Sequence, residues 1–170
     1  MRHGRGCLIY PNGQRYDGYW ANDEMNGHGR IVYEDCSYYI GYFVDDLRCG
    51  RGKLVKPDGT VYEGDWANDD KEGQGTEIWP DGSFEGEFKA GKRHGQGKFK
   101  MHDGLEYEGA FEDDKMEGEG TYTWPNGSYY KGAFVENSMH GYGVFNYSDG
   151  RVFKGDFAED LKHGYGVLTW

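Results

Sequence analysis

Apolar and polar residues alternate along most of this chain with the period of a β-strand. In Tyr107-Glu-Gly-Ala-Phe111, aromatic rings stand at the first and fifth places with a glycine midway between them. Residues two apart in a strand share a face, so the two rings and the glycine look the same way. An acidic stretch, Glu112 to Glu117, interrupts the pattern, and a second alternating run follows from Gly118 through Tyr122 to Trp124. Pro125-Asn126-Gly127 closes the segment as a turn, since proline presets its own φ and glycine accepts a positive one. The pattern predicts two short strands and two turns. No stretch of useful length carries the 3.6-residue period of a helix.

The segment recurs. Counting the opening ring as position 1, repeats begin at Tyr16, Tyr39, Tyr62, Phe84, Tyr107, Tyr130 and Phe153, and residues 1–15 form a partial repeat before them. The spacing is 23 residues, except that the third repeat is one shorter. Position 5 is always Trp or Phe, and positions 3, 12 and 14 are always Gly. All four prolines stand at position 19, and position 21 is Gly apart from Cys36. Position 8 holds Asp23, Asp46, Asp69, Asp114, Asn137 and Asp160, with Gly91 as the exception. Alternation puts positions 1, 5, 16 and 18 on one face with the glycines at 3 and 14. Rings of neighbouring strands would then lie across bare backbone, which explains why Gly and aromatics are abundant together. A fixed period of this length means stacked units that share a continuous core. The expected architecture is all-β: one array over residues 1–170, an elongated, single-layer, twisted antiparallel sheet of stacked β-hairpins, solenoid-like. At ~4.8 Å per strand, seven repeats would extend on the order of 70 Å.

Composition narrows the function classes. With 30 Gly, 15 Tyr, 9 Phe and 5 Trp, and only 36% hydrophobic residues, the chain is too ring-rich for disorder and too poor in aliphatics for a closed core. The net charge of −11 opposes nucleic acid, whose binding rests on cations at phosphates, and it disfavours anionic lipid. Cys7, Cys36 and Cys49 are odd in number with no Cys-x-x-Cys, so neither a disulfide framework nor a zinc site is indicated. No signal sequence is visible, and no apolar run approaches the ~20 residues that span a bilayer, so the chain reads as cytoplasmic.

Candidate chemistry dissolves into the repetition. His94, His140 and His163 occupy one repeat position, so stacking would hold neighbours roughly 10 Å apart, too far to share a zinc ion. The acidic pairs Asp45-Asp46, Asp69-Asp70 and Asp113-Asp114 lack the Asp-x-Asp-x-Asp-Gly frame of a calcium loop and read as solvated turns. Gly-x-Gly recurs in every repeat without a helix behind it to receive a phosphate. The basic cluster Lys89, Lys92, Arg93, Lys98 and Lys100 is expected to pair across strands, Lys98 and Lys100 with Glu85 and Glu87. No catalytic residue, metal ligand or cofactor follows from these patterns.

Two surfaces remain. On the ring face, Tyr33, Trp79, Met101, Trp124, Tyr147 and Trp170 either line a groove for a partner's helix or extended peptide, or serve as the repeats' own core. On the other face, polar in the later repeats, Tyr19, Val32, Ile40, Tyr42, Val55 and Ile78 would cluster as a contact patch that also suits self-association. Both ends of the sequence fall inside a repeat, so either the array continues beyond them or bare strand edges pair into a dimer.

Tyr-x-Gly-x-Trp, an Asn/Asp/Gly loop, His-Gly-x-Gly and Asp-Gly together resemble the MORN repeat, from His3 to Trp170. Arg93-His94-Gly95-Gln96-Gly97 and Met139-His140-Gly141-Tyr142-Gly143 fit most closely. Asn26, Cys49, Glu72 and Glu117 at the His position, Lys56 at position 18 and Cys36 at the turn depart from the pattern. The resemblance implies an array of β-hairpins that acts as a non-catalytic protein-interaction scaffold, often dimeric, in cytoskeletal or ciliary settings. It also leaves room for a phospholipid-contacting module or for the regulatory array of a larger enzyme.

Overall fold

The computed structural model describes all 170 residues as fifteen antiparallel strands without a helix, each strand following its chain neighbour. None of the chain therefore forms an apolar helix able to cross a membrane. Two compact units gather along the chain. The first, Met1–Pro80 with Phe88–Gly91, contains β1 (Gly4–Ile9), β2 (Arg15–Ala21), β3 (Glu24–Val32), β4 (Tyr38–Val44), β5 (Leu47–Val55), β6 (Val61–Ala67) and β7 (Asp70–Trp79). The second, Asp81–Glu87 with Lys92–Trp170, contains β9 (Lys92–Met101), β10 (Glu106–Glu112), β11 (Lys115–Thr123), β12 (Tyr129–Val135), β13 (Ser138–Asn146), β14 (Val152–Ala158) and β15 (Leu161–Thr169). Strand β8 (Gly82–Lys89) divides between them. The expected all-β hairpin architecture is what the chain forms.

Within a repeat, one ring dictates the backbone. Tyr107 on β10 faces Tyr122 on β11, and Gly109 faces Gly120. The Tyr107 ring lies over both glycines. A Cβ at Gly120 would stand 2.5 Å from the tyrosine hydroxyl, and one at Gly109 would stand 2.6 Å from the Gly120 Cα. The covering ring belongs to the same strand as one of its glycines, rather than arriving only from a neighbour as the alternation suggested. Beyond this point the register slips, with Phe111 opposite Met116 and Ala110 without a partner on β11. The Tyr107 hydroxyl donates to the Ala110 carbonyl at 2.9 Å, and Tyr16, Tyr39, Tyr62 and Tyr130 repeat this bond to Tyr19, Tyr42, Asp65 and Ala133. The bulge itself turns on position 12, where Gly118 takes φ +77°. Positions 12 and 14 are thus glycine for different reasons: backbone angle at the first, ring clearance at the second.

The rings at positions 1 and 5 form an edge-to-face ladder that is the core. In the first unit Tyr16 meets Trp20 and Phe43 at 5.0 and 5.3 Å, and Tyr39 meets Phe43 and Trp66, each at 5.2 Å. In the second, Tyr107 meets Phe111 and Phe134 at 5.0 and 5.1 Å. All of these rings are buried. Edge-to-face pairs contribute about 0.5–1.5 kcal/mol each beyond area burial, and each position 1 ring here makes one such contact inside its repeat and one with the next. The ladder replaces the aliphatic core that the composition lacks.

Adjacent repeats are also stapled through their loops. Asp45 and Asp46 both take positive φ, 49° and 67°, closing β4 on β5 in the two-residue turn whose twist suits a hairpin. The Asp46 carboxylate accepts the Met25 N–H at 2.6 Å, and the Asp46 N–H donates to the Met25 carbonyl at 3.1 Å. The same reciprocal pair joins Arg48 to Asp69, Arg93 to Asp114, Met116 to Asn137 and Met139 to Asp160. The acidic turns are therefore more than solvated loops: one of their two residues couples its repeat to the one before. At Gly91 the backbone half survives, with its N–H on the Lys71 carbonyl at 3.0 Å, but the glycine has no side chain to complete the staple. At the opposite loops, Asp58 accepts the Thr60 N–H at 2.8 Å and Asn126 accepts that of Ser128 at 2.9 Å. These side-chain turns set the five-residue connections from β5 to β6 and from β11 to β12.

Two predictions follow from the ring-over-glycine geometry. Gly120→Ala, which drives a methyl group into the Tyr107 ring and hydroxyl, should cost about 2–4 kcal/mol in urea unfolding. Gly127→Ala sits at φ +83° with nothing within 4 Å of a new Cβ and should cost only about 1 kcal/mol. Equal losses would show that backbone angle alone accounts for both glycines. Burial pushes the Tyr16 and Tyr130 hydroxyls up from 10.0 to about 12, and those of Tyr39, Tyr62 and Tyr107 upward as well. A raised native pKa means the folded chain holds these protons more tightly than the unfolded one. Their stabilisation is complete below about pH 10 and is lost as pH climbs through the native values. Spectrophotometric titration should show these tyrosines ionising together with loss of β-structure above pH 10. Reversible ionisation near pH 10 in the intact fold would contradict their burial.

Candidate functional site

The ring face carries a second tier of side chains, at positions 16 and 18, beside the buried ladder. In the first unit Tyr33 and Trp79 are half-buried, and Lys56 holds the equivalent place between them in sequence. Tyr33 borders a hollow with Leu54 and Arg48, and burial pushes its hydroxyl pKa up. In the second unit the tier is continuous. Tyr122 and Trp124 are 4.6 Å apart, Trp124 and Phe145 5.1 Å, and Phe145 and Tyr147 4.6 Å, with tilted planes throughout. The Arg151 guanidinium stands 4.7 Å from the Tyr147 ring and 5.5 Å from Trp170, which is 92% exposed.

Met101 opens a separate hollow of ≈ 360 Å³ in the second unit, floored by Tyr107 and Phe111 and walled by Phe99, Leu105, Met116 and Tyr122. Arg93, Asp114 and Asn137 form its polar rim, with Arg93 and Asp114 paired at 3.2 Å. The volume suits one or two apolar side chains of a partner. The sequence pattern pointed to Met101 and Trp124 but not to Phe99, Leu105, Met116 or Tyr122 as lining. The signal for Phe99 and Tyr122 was their shared position 16.

Position 10 is a further feature that repetition hid. It holds Met25, Met116 and Met139 in some repeats and Arg48, Lys71, Arg93 and Lys162 in others. Arg48 stands 4.2 Å from the Trp66 ring, Lys71 4.8 Å from Tyr62 and Lys162 4.7 Å from Phe153. Arg93 lies 5.7 Å from Phe84, Phe99 and Phe111 alike. The long cations cover the ring ladder by cation–π contact, and methionine stands at the same place, opposite Trp20, Phe111 and Phe134. The basic cluster thereby divides: Arg93 covers rings and pairs with Asp114, while Lys92 reaches Asp113 at 3.5 Å. Lys98 pairs with Glu108 at 2.8 Å and Lys100 with Glu106 at 3.2 Å, rather than with the expected Glu85 and Glu87, because β10 brings its carboxylates closer.

On the outer face, the expected patch in the first unit separates into rows. Val32, Val55 and Ile78 join Tyr38 and Val61 in one stripe, each opposite the next across β3 to β7. Tyr38 and Val61 were missed because position 23 reads as the end of a turn, whereas it starts a strand. Ile40 lies one row inward, between Arg30 and Lys53. Tyr42, 52% exposed, lies in a third row beside His28, their rings 5.3 Å apart, and Tyr19 is half exposed. The later repeats are less polar on this face than expected: Tyr129, Tyr142, Tyr165 and Val167 are exposed in the second unit. No three His, Cys, Asp or Glu side chains gather as a metal-ligand set.

Fold and surfaces together define a β-hairpin repeat protein that displays aromatic side chains in register. The MORN repeat family matches the chain eight times, at residues 1–15, 16–35, 39–61, 62–84, 84–106, 107–129, 130–150 and 153–170, and the chain belongs to that family. Among solved structures, it is similar to the TCP domain of SAS-4 (dCPAP) from Drosophila melanogaster, solved in complex with a proline-rich motif of Ana2. That match has 11% identity and a TM-score of 0.49, covering 98% of this chain and 89% of that one. A mutant TCP10 domain of Danio rerio CPAP matches at 16% identity and a TM-score of 0.38, over 89% of this chain and 93% of that one.

Position 10 is open to a direct check. Arg93→Met should stay within about 0.5 kcal/mol of the parent in urea unfolding, since methionine covers the rings elsewhere, whereas Arg93→Glu, facing Asp114, should lose about 1–2 kcal/mol. If both variants lose the same amount, the ion pair rather than ring cover is what matters there.

Proposed function

We propose that the protein is a non-catalytic interaction scaffold whose ring face grips a helix or extended segment of a partner protein in a cytoskeletal or ciliary setting. The observation that carries this reading is the unbroken Tyr122–Trp124–Phe145–Tyr147 row in the second unit. Its rings are only half-buried, although each touches a neighbour. A half-buried indole flanked by rings is rigid, apolar and already oriented, the profile of an interface anchor. The nearby Met101 hollow would accept an inserted side chain, and its Arg93–Asp114 rim offers polar partners around it. Trp79 and Tyr33 extend the same chemistry in the first unit. The setting rests on family resemblance alone, and the partner is characterised only by the surface it must match.

A pull-down from cytoskeletal extract with the parent chain and a Trp79→Ala/Trp124→Ala variant tests the reading, with circular dichroism confirming that both are folded. Loss of an anchoring indole commonly costs about 2 kcal/mol or more, so specific partners should be recovered at least roughly tenfold less well by the variant. Equal recovery would show that the groove is not the binding surface.

A further inference from the structure

Strand β4 turns Tyr38, Ile40 and Tyr42 toward the outer face, an apolar spine where most strands present charge. The flanking strands carry cations: Arg30 on β3 and Lys53 on β5 lie opposite Ile40, and Arg51 sits in the β5 bulge near Tyr42. With strands ~4.8 Å apart, these positive groups run along both sides of the spine, within one side chain's reach of it. Over β1 to β5 this face holds Arg5, Arg15, Arg30, Arg51 and Lys53 against Asp17 and Glu24, in a chain whose net charge is −11.

The ion pairs single out two of these groups. Six of the chain's eight arginines, Arg2, Arg5, Arg15, Arg48, Arg93 and Arg151, have a carboxylate within 4.0 Å. Arg30 and Arg51 form none of these pairs, and Lys53 already pairs with Glu63 at 3.6 Å. The Arg30 guanidinium stacks 4.8 Å over the Tyr38 ring, which holds its plane while leaving its N–H groups available. Guanidinium forks bind carboxylates bidentately, so two arginines outside these ion pairs, Arg30 held by its ring and Arg51 beside it, match next to an apolar spine a ligand with both properties.

We infer that this face of the first unit docks a short acidic peptide segment. Its carboxylates lie on Arg30 and Arg51 and an intervening apolar side chain rests on Ile40 and Tyr42. The positive strip is narrow, because Glu63 and Asp65 on β6 close its far side. A broad polyanion such as a membrane surface or a nucleic acid would meet those carboxylates, whereas a single extended segment along β4 lies between them and Asp17 on β2. The surface lies on the face of the first unit opposite that unit's own ring ladder and shares no residue with the Tyr122–Trp124–Phe145–Tyr147 row, so its test stands or falls independently of that reading.

The probe is a fluorescein-labelled Glu-Leu-Glu-Tyr-Glu-Leu-Glu peptide, with its Gln-for-Glu counterpart, titrated against the full chain by fluorescence anisotropy. The Glu peptide should bind in low salt, and the Gln peptide at least about tenfold more weakly. Arg30→Gln/Arg51→Gln should weaken binding at least about tenfold, while a charge-matched Lys131→Gln/Lys154→Gln variant keeps the parent affinity. Near-ultraviolet circular dichroism confirms that the ring ladder is intact in each variant. Three results would overturn the inference: no anisotropy change up to ~1 mM protein, a threshold set by the weakest specific affinities; equal losses in both double variants; or sedimentation with phosphatidylserine vesicles that depends on Arg30 and Arg51 while the peptide does not bind.

Discussion

A tyrosine ring pressed flat on two glycines is the constraint from which the rest of this protein follows. The ring can lie there only because Gly109 and Gly120, and their counterparts in the other repeats, present no Cβ. Its hydroxyl then reaches the carbonyl at position 4, where the ladder has slipped. The slip bends the hairpin and brings position 5 within edge-to-face range of its own position 1 and that of the repeat before. Burial, bulge and ring ladder are thus one arrangement. Phe84 and Phe153 show that the hydroxyl is dispensable while the ring is not, since both still lie within van der Waals range of their glycines.

Coupling between repeats has two independent components. The ring ladder is apolar and central; the loop staples are polar and peripheral, each holding one N–H and one carbonyl of the preceding repeat. Arg48 and Arg93 take part in both, donating to a carboxylate of the next repeat while lying over its rings. Position 10 holds a long, flexible side chain, Met, Arg or Lys, in all seven repeats. Ion pairs with carboxylates engage six of the chain's eight arginines, leaving Arg30 and Arg51 as exceptions.

Strand count, turn positions and the face of each ring were legible in the sequence, because period-2 alternation and the Gly, Pro and Asp markers are local signals. What escaped were relations between residues 20 or more apart. The Asp46–Met25 staple spans 21 residues, and nothing about a lone aspartate in a turn reveals which N–H it will meet. Lys98 shows a second limit at shorter range: strands on both sides offered carboxylates, and only side-chain reach selects Glu108. The site was legible in outline. Trp124 and Met101 emerged from repetition, but the continuity of the ring row depended on Tyr122 and Phe145, whose tilted packing no pattern of single positions encodes. Tyr38 and Val61 were lost at a boundary between turn and strand.

The loop staple has a consequence for how such a protein can change. Its donor and acceptor on one side are main-chain atoms, present whatever residue stands at position 10, and on the other side a single short Asp or Asn suffices. Each repeat therefore shows its successor the same docking edge that its predecessor showed to it. Assembly is written in main chain, glycine and ring, and the side chains at outward positions such as 2, 4, 13 and 15 add no more than exposed ion pairs to it. Those positions are free to be rewritten one repeat at a time, so that a uniform scaffold can acquire an unrelated recognition surface without renegotiating its fold.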